Sequence, residues 1–157
     1  MKTRAFTLIE VLVVVLIIGI LAAIAIPKYL IATEKSRYMQ LIVQMRAIKE
    51  AQELYYLANG EYTTNLGALD IKLPYSNIYD VYHVQVSQDS IFVFDRIRES
   101  KTDVPRIYVW YDHASSVPSL YQAGKAYCYG YREAAKVCAS VGKLAGKSGG
   151  VNVYEVF

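Results

Sequence analysis

Val11-Leu12-Val13-Val14-Val15-Leu16-Ile17-Ile18-Gly19-Ile20-Leu21-Ala22-Ala23-Ile24-Ala25-Ile26 is the stretch on which the fold turns. These 16 consecutive residues are drawn only from Val, Leu, Ile, Ala and Gly. Counted from Phe6 the run is 21 residues, interrupted by Thr7 and Glu10. As a helix rising about 1.5 Å per residue it spans roughly 31 Å, close to the ~30 Å hydrocarbon core of a bilayer. Met1 to Ala5, upstream, are short, polar and basic, and Pro27-Lys28 follows. The chain has 157 residues, 54% of them apolar, with 17 basic and 14 acidic side chains and a formal charge of +3. That content excludes intrinsic disorder and a simple cytosolic globule. Nucleic acid is not indicated as a partner: without Lys2 and Arg4 the balance is 15 basic against 14 acidic, with no dense basic stripe.

Beyond Pro27 the apolar residues recur at steps of three and four: Tyr38, Leu41 or Ile42, Met45, Ile48, Ala51 or Gln52, Tyr55, Ala58. Glu34, Lys35, Arg37, Arg46, Lys49, Glu50 and Glu53 occupy other faces, and Asn59-Gly60 supplies a left-handed stop. If Pro27 bends this helix without ending it, one rod runs from about Phe6 to Ala58, roughly 80 Å. Its first half must find partners outside the domain. Glu61 to Ser76 reads as a loop. Val81–Val86 and Ser90–Phe94 flank a Ser87-Gln88-Asp89 turn and predict a hairpin, with a third strand over Arg106–Tyr111. Asp112 to Gly124 is loop-like, Arg132 to Val141 a short helix, Lys143 to Gly150 a Gly/Lys/Ser linker, and Val151–Phe157 a fourth strand.

The hydrophobic run has three readings: a cleaved secretory signal, a plain single-pass anchor, or an anchor that is processed and reused. Basic residues before Phe6 and the small-x-small Ala23-Ile24-Ala25 suit the first. Glu10 and the length of the run argue against it, because a carboxylate in hydrocarbon is expensive and by default marks function. Lys2 and Arg4 favour a cytoplasmic N-terminus and an external C-terminal domain, although Lys28 weakens that signal.

Lys2-Thr3-Arg4-Ala5 followed by Phe6-Thr7-Leu8-Ile9-Glu10, then an apolar run with Gly19 and Pro27, closely resembles the N-terminus of type IV pilins and their pseudopilin relatives. The resemblance is specific over roughly Met1 to Ala58 and architectural beyond. It implies an α+β pilin fold. A long N-terminal helix, transmembrane in its first half, would pack on a small antiparallel sheet of about four strands, with a C-terminal disulfide loop. It implies a leader over 1–5, a membrane and filament-core helix over 6–26, an amphipathic continuation over 27–58 and a globular head over 59–157. By the same resemblance a prepilin peptidase cuts between Ala5 and Phe6 and methylates the new Phe6 amine. Ala5 departs from the family's usual glycine, but it is the next smallest side chain, and processing is expected to survive. Glu10 then answers a Phe6 amine, on a neighbouring subunit as the filament assembles or, at i and i+4, within one subunit. The plainer alternative is a Glu10 that snorkels to the interface. Gly19 and Pro27 are expected to loosen the helix in a filament, though both residues are simply commoner in membrane helices.

The implied function is a structural subunit of a type IV pilus. The alternatives are a pseudopilin of a type II secretion system or a minor pilin in adhesion or DNA uptake. More remote is an exported soluble binding domain cut after Ala25. The implied partners are copies of itself, the peptidase, and an assembly platform with its ATPase. The subunit would sit in the inner membrane before assembly and in an extracellular or periplasmic filament afterwards.

Cys128 and Cys138 are expected to form a disulfide, as exported domains and pilins of this kind do. All fifteen tyrosines follow Pro27. They read as strand and interface residues first, and as a ligand or adhesive surface second. No enzyme signature is present: there is no phosphate loop, nucleophile elbow or metal-spaced histidines, and no cofactor or metal is expected. His83 and His113 have no motif around them. Asp70, Asp80, Asp89, Asp95 and Asp103 are scattered.

Overall fold

A helix starts where its first amide groups find an acceptor. In the computed structural model, which describes residues 7–72, 82–95 and 105–157, Thr7 is extended and caps the first helix, α1 (Leu8–Asn59). The Thr7 side chain accepts from the Glu10 N–H, and the Glu10 side chain accepts from the Thr7 N–H, a reciprocal capping box. Gly60 closes the far end in the left-handed region (φ 76°), its N–H donating to the Tyr56 carbonyl at 2.7 Å. The 52 residues between make a rod of about 78 Å. Pro27 lies inside it without ending it. Having no N–H, Pro27 leaves the Ala23 carbonyl without an intrahelical donor.

After a 3₁₀ turn at Leu66–Ala68 the chain forms β1 (Tyr82–Val86), β2 (Ser90–Asp95), β3 (Arg106–Trp110), β4 (Ala126–Tyr129), α2 (Arg132–Val141), β5 (Lys143–Ser148) and β6 (Val151–Glu155). All strand pairs are antiparallel, in the order β1-β2-β3-β4-β6-β5. The sheet therefore has six strands, not four. The first missed strand, β4, lies between β3 and β6 with Ala126, Tyr127 and Cys128 all buried, so it lacks the alternation that betrays a half-buried strand. The second, β5, is an exposed edge whose Lys143, Gly146 and Lys147 read as linker. Lysine on an edge strand is a usual defence against unwanted pairing. Gly149 (φ 56°) and Gly150 (φ 82°) turn β5 into β6 through a two-residue hairpin. The predicted loop to Ser76 and the strand start at Val81 lie partly outside the described residues.

The core forms where the second half of α1 crosses the sheet. Tyr38, Leu41, Ile42, Met45, Ile48 and Ala51 are buried against Ile91, Val93, Ile107, Val109 and Ala126. Each Val, Leu, Ile or Met side chain among them contributes about 1.5–3 kcal/mol by leaving water. On the opposite face Trp110, Tyr127 and Val153 form a smaller cluster with Leu120 and Tyr121. Polar ties lock the helix in place. Gln52, fully buried, donates to the Thr63 carbonyl at 2.6 Å and accepts from the Thr63 N–H at 3.1 Å. Glu53 accepts from the Tyr62 hydroxyl at 2.7 Å and the Asp112 N–H at 2.8 Å.

Candidate functional site

Among the described residues, nothing buries the first half of α1. Leu8 to Leu21 are exposed throughout, and the most apolar 18-residue window of the helix has none of its residues buried. Leu16 is 64% exposed, whereas Met45, on the same helix, is fully buried. A continuous apolar surface of this size is far beyond what an isolated soluble domain leaves in water and marks a membrane or protein contact.

At the head of this surface stands Glu10. Its Oε2 accepts from the Thr7 N–H at 2.9 Å and from the Thr7 hydroxyl at 2.6 Å. The carboxylate is thus held along the helix start by a neighbour three residues earlier. Thr7 is the residue that sequence reading passed over, although Thr7-Leu8-Ile9-Glu10 has the Thr-x-x-Glu spacing of a capping box. Ala5 and Phe6, the expected cleavage and methylation positions, lie outside the described residues. Gly19 faces open space, with no atom within 4 Å of where a Cβ would stand. Below Pro27, the Thr33 hydroxyl donates to the Tyr29 carbonyl at 2.8 Å.

On the head, Cys128 and Cys138 are joined in a disulfide with Cα atoms 5.4 Å apart, both fully buried, linking β4 to α2. Five of the tyrosines fall in two aromatic groups. Tyr56, Tyr62, Tyr111 and His113 stack at the top of α1, with centroids 4.3–4.7 Å apart. Burial, reinforced by the Glu53 carboxylate, pushes the Tyr62 hydroxyl well above the ordinary phenol range, and burial does the same for Tyr111. Across one face of the sheet, His83, Phe94, Phe92, Tyr108 and Tyr129 form a ladder of contacts at 4.3–5.5 Å, cross-strand except for Phe92–Phe94 within β2. These rings largely occupy one another's faces, which disfavours a stacking platform for a ligand. Asp89 is engaged by the Ser115 N–H and hydroxyl. Asp80 and Asp103 lie outside the described residues. Among the described residues no group of three His, Cys, Asp or Glu side chains could hold a metal ion.

Residues 1–26 match the family model described as the prokaryotic N-terminal methylation motif. The chain is 33% identical over 87 residues to a type IV major pilin protein of Neisseria gonorrhoeae, covering 55% of this chain and 48% of that one. It is 39% identical over 67 residues to the type II secretion system core protein G of Escherichia coli, covering 42% and 46%. Against the type IV wide pilus major component of Thermus thermophilus it is 39% identical over 68 residues, covering 43% and 52%. Over about half its length or less the chain is similar to type IV pilins and to a type II secretion core protein. It spans about half the length of the curated relatives it matches. The matched motif contains Thr7, Glu10 and most of the exposed apolar surface together. These relatives are named as a major pilin protein, a secretion-system core protein and a pilus major component.

Proposed function

We propose that this protein is a non-enzymatic subunit of a type IV pilus that polymerises through the first half of α1. The observation that carries the reading is an apolar window with no buried residue, set against the buried face of the second half of the same helix. Before assembly a bilayer would cover that surface, with the N-terminus cytoplasmic and the head outside. In the filament, other copies would cover it, related by a heterologous contact that does not close. The segments divide accordingly: 1–5 removed as a leader by a prepilin peptidase, 6–26 in the membrane and then the filament core, 27–58 joining rod to head, and 59–157 outside. An assembly platform and its ATPase would supply the work of extraction.

Glu10 enters this scheme as a self-capped carboxylate. While Thr7 supplies two donors, part of the cost of placing a charge near hydrocarbon is relieved. Once Ala5 is removed, the Phe6 amine offers a cationic donor, and exchange of partners would couple processing to assembly. Gly19 and Pro27 mark where the rod yields most easily when its surroundings change. Similarity to a type II secretion core protein supports a second reading, a short periplasmic pseudopilus. Two measurements test the reading. Intact mass of the mature protein should give Phe6 as the first residue, methylated; a chain starting at Ile26 would make this an exported soluble domain. Electron microscopy of sheared surface filaments, probed for this protein, separates pilus from pseudopilus.

A further inference from the structure

The second half of α1 is apolar on two sides, and the head buries only one of them. At about 100° per residue, Val43, Ala47, Leu54 and Ala58 fall within an arc of about 60°, centred about 140° from the buried Leu41, Met45 and Ile48. Val43 is 65% exposed and Leu54 70%. Beside this arc lies a groove of about 430 Å³ between α1 and residues 68–71. Ala47, Ala51, Leu54 and Ala58 line it from the helix, and Leu69 and Ile71 line it from the other side. Alanines on a helix surface let a second helix approach to an interaxial distance of about 8–10 Å.

Two carboxylates, Glu50 and Asp70, also line the groove, and both are exposed. Among the described residues no cation lines it. The neighbouring cations are placed elsewhere. Lys49 pairs with Asp112 at 2.8 Å, and the Arg46 guanidinium lies 4.5 Å from the centre of the Phe157 ring. Lys72 is exposed outside the groove. The groove therefore suits a long apolar occupant that brings a positive charge with it.

The rod of a second copy has that chemistry. Between Thr7 and Thr33 its one cation is Lys28, exposed at the end of the apolar run. Ile26, Tyr29 and Leu30 around it are 58–70% exposed. Of the acids on either side, Glu10 stands 18 residues earlier and is held by Thr7, and Glu34 lies 3.6 Å from Arg37. We infer that the groove seats the rod of a second copy, with that copy's Lys28 between Glu50 and Asp70. The inference rests on the polymerisation reading proposed above and adds its register. One cation on an otherwise apolar stretch leaves one alignment in which no charge is stranded in an apolar contact, much as a lone polar residue sets the register of a coiled coil. Lys28 and Glu50 are 22 residues apart on each chain, so parallel rods joined in this way are offset by about 33 Å. Rods of about 78 Å then still overlap for about 45 Å. Each copy offers one groove and one rod, so the contact repeats from copy to copy without closing.

The test joins the two surfaces covalently in filaments sheared from cells that make the full chain. Lys28→Cys with Glu50→Cys in one chain should give, after mild oxidation, a ladder of covalent oligomers on a non-reducing gel. Either change alone should leave monomer. The native cysteines, buried and already bonded, stay out of the reaction. Glu50→Lys with Asp70→Lys should lower the filament yield roughly ten-fold or more, and Lys28→Glu added to them should restore it. Unchanged Trp110 fluorescence in each variant shows that the head is folded. Filaments in which the double-cysteine variant stays monomeric overturn the inference. So do a ladder from either single variant, a yield that the charge reversal leaves unchanged, and a reversal that Lys28→Glu fails to rescue. Cross-linking of the Glu50→Cys chain to a different protein would give the groove to another partner and overturn it as well. Absence of filaments from the parent chain would instead overturn the polymerisation reading, and the register with it.

Discussion

Replacing Cys128 and Cys138 together by alanine should cost the head about 3–4 kcal/mol. The sequence separation of the pair is 10, so the disulfide closes a loop of 11 residues. Chain entropy for such a loop gives about 9 cal/mol/K, or about 2.8 kcal/mol at 25 °C. Both cysteines are fully buried, and Val137 and Ala134 nearby are buried too, so removing two sulfur atoms adds a cavity cost of about 1 kcal/mol. The assay is urea unfolding of the full chain in detergent, followed by the fluorescence of Trp110. That residue is the single tryptophan and is 8% exposed, on the strand next to the disulfide-bearing β4. With a slope of about 2 kcal/mol/M, the midpoint should fall by roughly 1.5–2 M. An unmoved Trp110 midpoint, with α2 melted, would refute the reasoning, because the head would then not be one cooperative unit. A second control uses the intact protein. Reductant without urea should leave the disulfide in place, since neither cysteine is exposed; rapid native-state reduction would contradict that burial.

Three further outcomes follow from other parts of the molecule. Glu10→Ala should leave membrane insertion intact by fractionation but cripple filament formation by electron microscopy; normal filaments would remove the role given to Glu10. Gln52→Leu should cost about 2–4 kcal/mol in the same urea assay, because it strips partners from both the N–H and the carbonyl of Thr63. A loss below 1 kcal/mol would mean that water replaces the glutamine. Alkali should destabilise the head through its buried phenols. Burial raises Tyr62, Tyr108 and Tyr111 above their ordinary value of 10.0, so the folded state keeps protons that the unfolded chain releases. Their contribution is therefore complete below about pH 10 and is lost as pH rises beyond it, which unfolding at stepped pH with tyrosinate absorbance will follow. Stability unchanged while every tyrosine ionises together would contradict the sign.

Where sequence and structure agree, a long-range pattern repeats. The steps of three and four from Tyr38 to Gln52 repeat often enough to locate the buried face of α1, and Asn59-Gly60 marks its end to within a residue. The β1–β2 hairpin and α2 are likewise legible from alternation and from a bounded polar–apolar segment. Where they part, the physical cause is environment. Buried on nearly every residue, β4 carries no alternation. Solvent faces β5 at the sheet edge, where lysines and a glycine serve the edge and disguise the strand; the Gly149-Gly150 pair was the signal to use. At the candidate site, Glu10 stands out because a charge in an apolar run is costly. Thr7 does not, because a threonine becomes informative only when its spacing to a carboxylate is noticed.

The single helix α1 takes part in two separate folding equilibria. From Tyr38 onward its residues share the head's core, so their order is tied to the cooperative stability of the sheet. From Leu8 to Leu30 no residue is buried, so the described part of the head packs no core against them. Their surroundings can change from one apolar solvent to another without altering the head's unfolding free energy. The reverse also holds. A mutation that weakens the head reduces the supply of intact subunits but leaves the polymerising surface chemically unchanged, so outside the groove that seats the rod, head and rod are free to vary independently.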